Sequence, residues 1–192
     1  MSNSGVFDVN DIRYLMDYQQ WSGVGTLELI QSASISNGAS TVDILSIKEN
    51  EYDQHILMTY GVEGSTSPQI NKIRFYESGV LETGSNYRYS LRYNQADGGT
   101  NEEKSTGDTS ITNFAFNNTS NEQSCMINIF YNLGDATKYS FATLHSISAF
   151  DVEIKVGGGC MTQASIVDGI QMYPHTGTYA GGNYSLYGVK YA

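Results

Sequence analysis

Apolar and polar residues alternate with a period of two along most of the chain from Thr26 onward, the period that sends successive side chains to opposite faces of a β-strand. The clearest case is NYRYSLRYN (Asn86 to Asn94), where Tyr87, Tyr89, Leu91 and Tyr93 share one face and Arg88, Ser90 and Arg92 the other. Strand-like runs also occur at TLELI (Thr26 to Ile30), TVDILSI (Thr41 to Ile47), HILMTYGV (His55 to Val62) and INKIRFY (Ile70 to Tyr76). Further along come SITNFAF from Ser110, SCMINIFY from Ser124, KYSFATLH from Lys138, FDVEIKV from Phe150, SIVDGIQMY from Ser165 and NYSLYGVKY from Asn183. Polar turn compositions such as SISNGAS and KENEYDQ separate them. About ten or eleven short strands, with no alternation of strand and helix, predict an all-β fold: an antiparallel β-sandwich or jelly roll. The stretch QADGGTNEEKSTGD (Gln95 to Asp108) has no apolar residue larger than alanine and is expected to be a long exposed loop.

The first residues follow a different period. In NDIRYLMDYQQW (Asn10 to Trp21), Ile12, Leu15 and Met16 fall on one face at helical spacing behind a capping Asn10/Asp11. A helix this short needs tertiary support, so its stripe must pack on its own domain or on another subunit. Val6 and Phe7 before it and Trp21 at its end add apolar surface. The expected organisation is an N-terminal helix or docking segment over 1–24 and a β-sandwich domain over 25–192. The candidate docking interface is Val6, Phe7, Ile12, Leu15, Met16 and Trp21.

Composition agrees with strands and polar turns. The 192 residues include 15 Tyr, 20 Gly and only 2 Pro, and 16% are charged. The formal charge of −10 argues against a protein whose work is neutralising phosphates, so no nucleic-acid partner is expected. No stretch approaches the roughly 20 apolar residues of a membrane span, and the start lacks the pattern of a secretory signal. A soluble chain made in the cytoplasm, without membrane insertion, is therefore expected, and the triplets at Asn117, Asn118 and Asn183 are chance glycosylation matches.

The tests for chemistry give no site. His55, His145 and His175 stand far apart, and the Asp97, Glu102, Glu103 and Asp108 carboxylates match no calcium-loop spacing, so no metal ligands are assigned. There is no nucleophile elbow, and the GGGC run at Gly157 to Cys160 reads as a turn between strands. Phosphate-binding glycine loops are absent, and no pair of carboxylates stands out for glycoside hydrolysis. Catalytic residues and cofactors are accordingly assigned as none. Cys125 and Cys160 lack CxxC spacing and are expected to be reduced and mostly buried thiols. The tyrosines suit either sheet packing or the binding of sugars or partner subunits.

The segment IVDGIQMYPHTGTYAGGNYSLYGVKYA (Ile166 to Ala192) combines a strand, a glycine-containing turn and a closing strand with LYGVK. It resembles the C-terminal end of small β-sandwich virion structural or tail-fibre proteins of tailed bacteriophages of marine bacteria. Gly25 to Ile44, His55 to Tyr60 and Ser78 to Leu91 resemble counterparts in the same order. The resemblance implies a virion component assembled in the host cytoplasm and carries no catalytic residues. Its implied role is a tail fibre or adhesin docked by its N-terminal segment. A capsid decoration (cement) protein is the alternative, and a carbohydrate-binding module a further one. Implied partners are other virion proteins of tail or capsid, further copies in a homo-oligomer such as a trimer, and a host-surface glycan.

Overall fold

The computed structural model describes residues 27–118, 121–149 and 152–190. Among them are thirteen strands: β1 (Leu27–Ser34), β2 (Val42–Leu45), β3 (Gln54–Gly64), β4 (Gln69–Glu77), β5 (Val80–Leu81), β6 (Tyr87–Asn94), β7 (Thr100–Asp108), β8 (Ile111–Phe116), β9 (Ser124–Tyr131), β10 (Tyr139–Ser148), β11 (Glu153–Ala164), β12 (Val167–Pro174) and β13 (Tyr179–Val189). They form two antiparallel sheets packed as a sandwich. The large sheet has the order β1-β13-β3-β9-β10-β11-β6-β7, and the small one β2-β12-β4-β5, with β8 also paired to β4. The expected N-terminal helix lies outside the described residues.

The core is the space between the sheets. Phe75, Ile73 and Ile170 from the small sheet meet Leu57, Phe130, Leu91 and Leu186 from the large one, all nearly or fully buried. Phe75 packs edge-on against Phe130 at 5.8 Å between centroids, and Phe116 stacks on Tyr179 at the same separation. Burying each such side chain contributes roughly 1.5–3 kcal/mol. Tyr87 is buried too, and its hydroxyl is satisfied: it accepts from the Phe75 amide at 2.9 Å and donates to the Glu82 carbonyl at 3.1 Å. The alternation read in NYRYSLRYN therefore holds, with the tyrosine face turned inward.

Three expectations are corrected. Of the expected loop 95–108, only the start is a turn, closed by the Gln95 amide on the Gly99 carbonyl at 2.8 Å. The remainder is edge strand β7, paired to β6 with Leu91 opposite Glu103 and Arg92 opposite Glu102. An edge strand needs one backbone partner and little apolar surface, and charged side chains guard its free edge. The GGGC run is no turn either: Gly157 to Cys160 lie within β11, paired on one side with β10 and on the other with β6. Glycine is required there by close approach, since a Cβ on Gly158 would stand 2.4 Å from the Ala142 carbonyl oxygen and one on Gly157 2.3 Å from that of Ser90. Finally, both thiols are free but not mostly buried: Cys125 is exposed and Cys160 half-buried. Cys125 lies opposite Ile147 and Cys160 opposite Phe141, six positions apart along β10 (147 − 141), too far for a disulfide.

The LYGVK pattern has a local cause. Leu186 fills the core, and Gly188 leaves room for the Tyr52 ring, whose carbon would lie 2.3 Å from an added Cβ.

Candidate interaction surface

The outward faces of the two sheets carry opposite chemistry. On the small sheet, Asp43 of β2 accepts from the Tyr76 hydroxyl at 2.6 Å, the Gln171 amide at 2.7 Å and the Thr41 hydroxyl at 3.0 Å. Arg74 lies over the Tyr173 ring at 4.4 Å and donates to the Thr109 carbonyl at 3.0 Å. Burial alone would raise the Asp43 pKa, but the three hydrogen bonds outweigh it and hold the carboxyl below its usual range. Tyr76, partly desolvated and bonded to that carboxylate, is pushed up to about 12. Apart from Leu45 on edge strand β2, this face is polar, with Asp43, Tyr76, Gln171 and Thr41 hydrogen-bonded to one another.

The outward side of β3, β9, β10 and β11 is apolar. Ile127 stands between Met58 and His145, His145 faces Val156, and Ile147 stands between Cys125 and Ile154. Tyr60, Ile127, Phe141, Ile147, Ile154 and Val156 are each 41–56% exposed. The center is a shallow depression of about 360 Å³ lined by Met58, Tyr60, Cys125, Ile127, His145 and Ile147. Among the described residues, the one Asp, Glu, Lys or Arg side chain directed outward from these four strands is Glu63 near the end of β3, where it accepts from the Gln123 side-chain amide at 2.7 Å. Patches this apolar on a protein surface mark places where something else binds.

The reason is an inversion of the usual pattern in β10 and β11. Ser146, Ser148, Glu153 and Lys155 are buried while their neighbours Ile147, Ile154 and Val156 face outward. The two inward charges of β11 are paired inside the fold. Lys155 Nζ lies 3.2 Å from Glu103 Oε1 and 3.5 Å from Glu153 Oε1, and 5.0 Å from the Tyr93 ring centroid. Neighbouring Ser124 on β9 donates to the Ala115 carbonyl at 2.9 Å, tying β9 to β8. A one-residue slip of β11 would turn Ile154 and Val156 inward and strand Lys155 outside, away from Glu103.

The docking candidates Val6, Phe7, Ile12, Leu15, Met16 and Trp21 lie outside the described residues. The three histidines stay apart: His55 is buried with its Nε2 2.9 Å from the Ile47 carbonyl, His145 is on the apolar face and His175 is in the turn after β12. Among the described residues, no group of three His, Cys, Asp or Glu could hold a metal ion. The carboxylates of 97–108 are spread along a turn and an edge strand, with Glu103 engaged by Lys155. Cys125 and His145 are diagonal neighbours across β9 and β10, a proximity the sequence spacing hides, but no hydrogen bond joins them. A larger open cleft of about 760 Å³ at one end of the sandwich is lined by Glu49, Glu51, Asp53, Asp135, Lys138 and Lys190. Its charges pair locally, Lys138 with Asp135 at 2.8 Å, and that salt link together with Thr137 holds the Asp135 carboxyl far below its usual range.

Sequence reasoning missed the apolar face itself. A signal was present: SCMINIFY has apolar residues at both parities, so one set must face out, and EIKV places Glu153 and Lys155 at one parity. No protein-family model matches the chain, and no curated protein matches it.

Proposed function

We propose that this chain is a non-enzymatic structural protein of a phage particle, a tail-fibre or adhesin-type component that assembles with other virion proteins. The observation that carries the reading is the apolar face of β3, β9, β10 and β11, charged only at its Glu63 rim among the described residues, a surface suited to permanent contact. The order of segments from Gly25 to Ala192 that resembles tail-fibre-type sandwiches supports the phage assignment. The N-terminal segment, with Val6, Phe7, Ile12, Leu15, Met16 and Trp21, is the proposed anchor to the particle.

Mass spectrometry of purified particles tests this. The chain should be present at tens of copies or fewer if it belongs to the tail, at an order of magnitude consistent with cyclic symmetry. Hundreds of copies would assign it to the head as a decoration protein. Absence from particles, with glycan binding by the isolated monomer, would replace the assembly role by that of a carbohydrate-binding module. Deleting Met1 to Gln20 should abolish incorporation while leaving the strand signal in circular dichroism unchanged.

A further inference from the structure

We infer that the outward face of β3, β9, β10 and β11 is the contact between two copies of this chain, packed face to face about a two-fold axis near Ile127, Ile147 and Val156. The inference rests on the assembly reading and names its partner.

Area is the first argument. Tyr60, Ile127, Phe141, Ile147, Ile154 and Val156, each about half exposed, offer on the order of 80–100 Å² apiece. With Met58, Cys125 and the exposed Tyr139 beside them, the face approaches the ~800 Å² per partner of a standard stable interface.

Charge is the second. Two copies of a −10 chain repel through most of their surfaces, and like charges set against each other across an interface cost several kcal/mol. On this face the patch around Ile127, Ile147 and Val156 can meet itself without placing one carboxylate against another, since the one outward carboxylate of the four strands, Glu63, lies at the rim beside Gln123. A basic partner would instead be drawn to the acidic groups, which lie at the Asp135 cleft, along β7 and at Asp43.

Shape is the third. The face is a run of antiparallel strands whose register is continuous from Cys125 to Tyr131 against β10 and bulges only at Tyr60/Gly61 and at Tyr139, and sheets of this kind pack on sheets about 10 Å apart. A patch that pairs with itself closes at two copies, whereas an open head-to-tail contact would need a second, different patch. The buried Lys155 with Glu103 and Glu153 holds β11 in the register that keeps Ile154 and Val156 outward.

The experiment uses the full chain in sedimentation velocity over a range of concentrations, with Cys125 alkylation read by peptide mass spectrometry. The expected result is a dimer that dissociates on dilution, with Cys125 reacting at least about tenfold more slowly in the dimer. Ile147→Glu should be monomeric with unchanged circular dichroism and fast Cys125 labelling. Ile154→Gln, a milder change, should weaken the dimer at least about tenfold and serves if Ile147→Glu does not fold. Leu45→Glu, on the outward face of the small sheet, should leave the dimer intact. A monomer whose Cys125 reacts quickly at every concentration overturns the inference. So does a monomer with Cys125 protected throughout, which would mean that the chain's own N-terminal segment covers the face, and so does a dimer or trimer that survives both substitutions. A monomeric chain found in purified particles removes the two-fold contact alone; a dimer absent from particles removes the virion role alone.

Discussion

The two outward faces of this sandwich are built on the same antiparallel geometry, yet one is a closed polar network around Asp43 and the other an open sheet of isoleucine, valine and aromatic side chains. The core beneath the small sheet is ordinary, with Ile73, Phe75 and Ile170 inward and Arg74, Tyr76 and Tyr173 outward. Beneath β10 and β11 the assignment is reversed, with Lys155 and Glu153 inside and Ile154 outside. The contrast shows that one strand geometry can turn either set of side chains inward: β11 exposes Ile154 and Val156 and shields Lys155 beside Glu103 and Glu153.

Substitutions break this contrast to different degrees. The largest effect is expected at Lys155, whose removal takes away the buried ammonium 3.2 Å from Glu103 and 3.5 Å from Glu153. Lys155→Ala should lower unfolding free energy in urea by about 3–5 kcal/mol, and a loss under 1 kcal/mol would mean that the ion pair does not hold the reversed register. Next is the glycine run of β11. Gly158→Ala, which drives a Cβ toward the Ala142 carbonyl, should cost about 1–3 kcal/mol by the same measurement, whereas the open Gly181 should tolerate alanine far better.

On the small sheet, Tyr76→Phe removes one of three donors to Asp43 and should cost only about 0.5–1.5 kcal/mol. It should also let the Asp43 pKa rise toward its ordinary value, as followed by carboxylate chemical shift. A pH effect comes from His55, at the foot of the large sheet. Burial is the largest cause and lowers its pKa below 6.5, against smaller raising contributions from Ile47 and Glu49. The unfolded chain then binds the proton more readily than the folded one, so stability is full above about 6.5 and is lost as pH falls below it. Urea midpoints between pH 8 and 5 should show that slope in the native chain and a flatter one in His55→Asn.

Much of the fold was legible because period-two alternation is local. Tyr87 and Leu91 were read correctly as one face since Arg88 and Arg92 mark the other. Strand β7 was illegible because its pairing with β6 supplies what its own side chains do not, and nothing in EEKST reports a partner. The glycines of β11 look like a turn until the carbonyls of Ser90 and Ala142 are placed beside them. The apolar face was hidden for a related reason. Alternation tells which residues share a side but not which side faces in, and for β10 and β11 that choice is made by Glu103 on a distant strand and by β8. The N-terminal docking segment lies outside the described residues, so it stands on its helical stripe alone.

The reversed orientation of β10 is the central claim, and thiol accessibility at two adjacent positions tests it most directly. In a chain carrying Cys125→Ser and Cys160→Ser, Ile147→Cys and Ser148→Cys are each labelled with a maleimide under dilute native conditions. The expected result is rapid labelling of the thiol at 147, where the native side chain is 49% exposed, and slow labelling at 148, where it is 2% exposed. Rapid labelling at 148 with protection at 147 would place Ile147 in the core and remove the basis for the apolar interface.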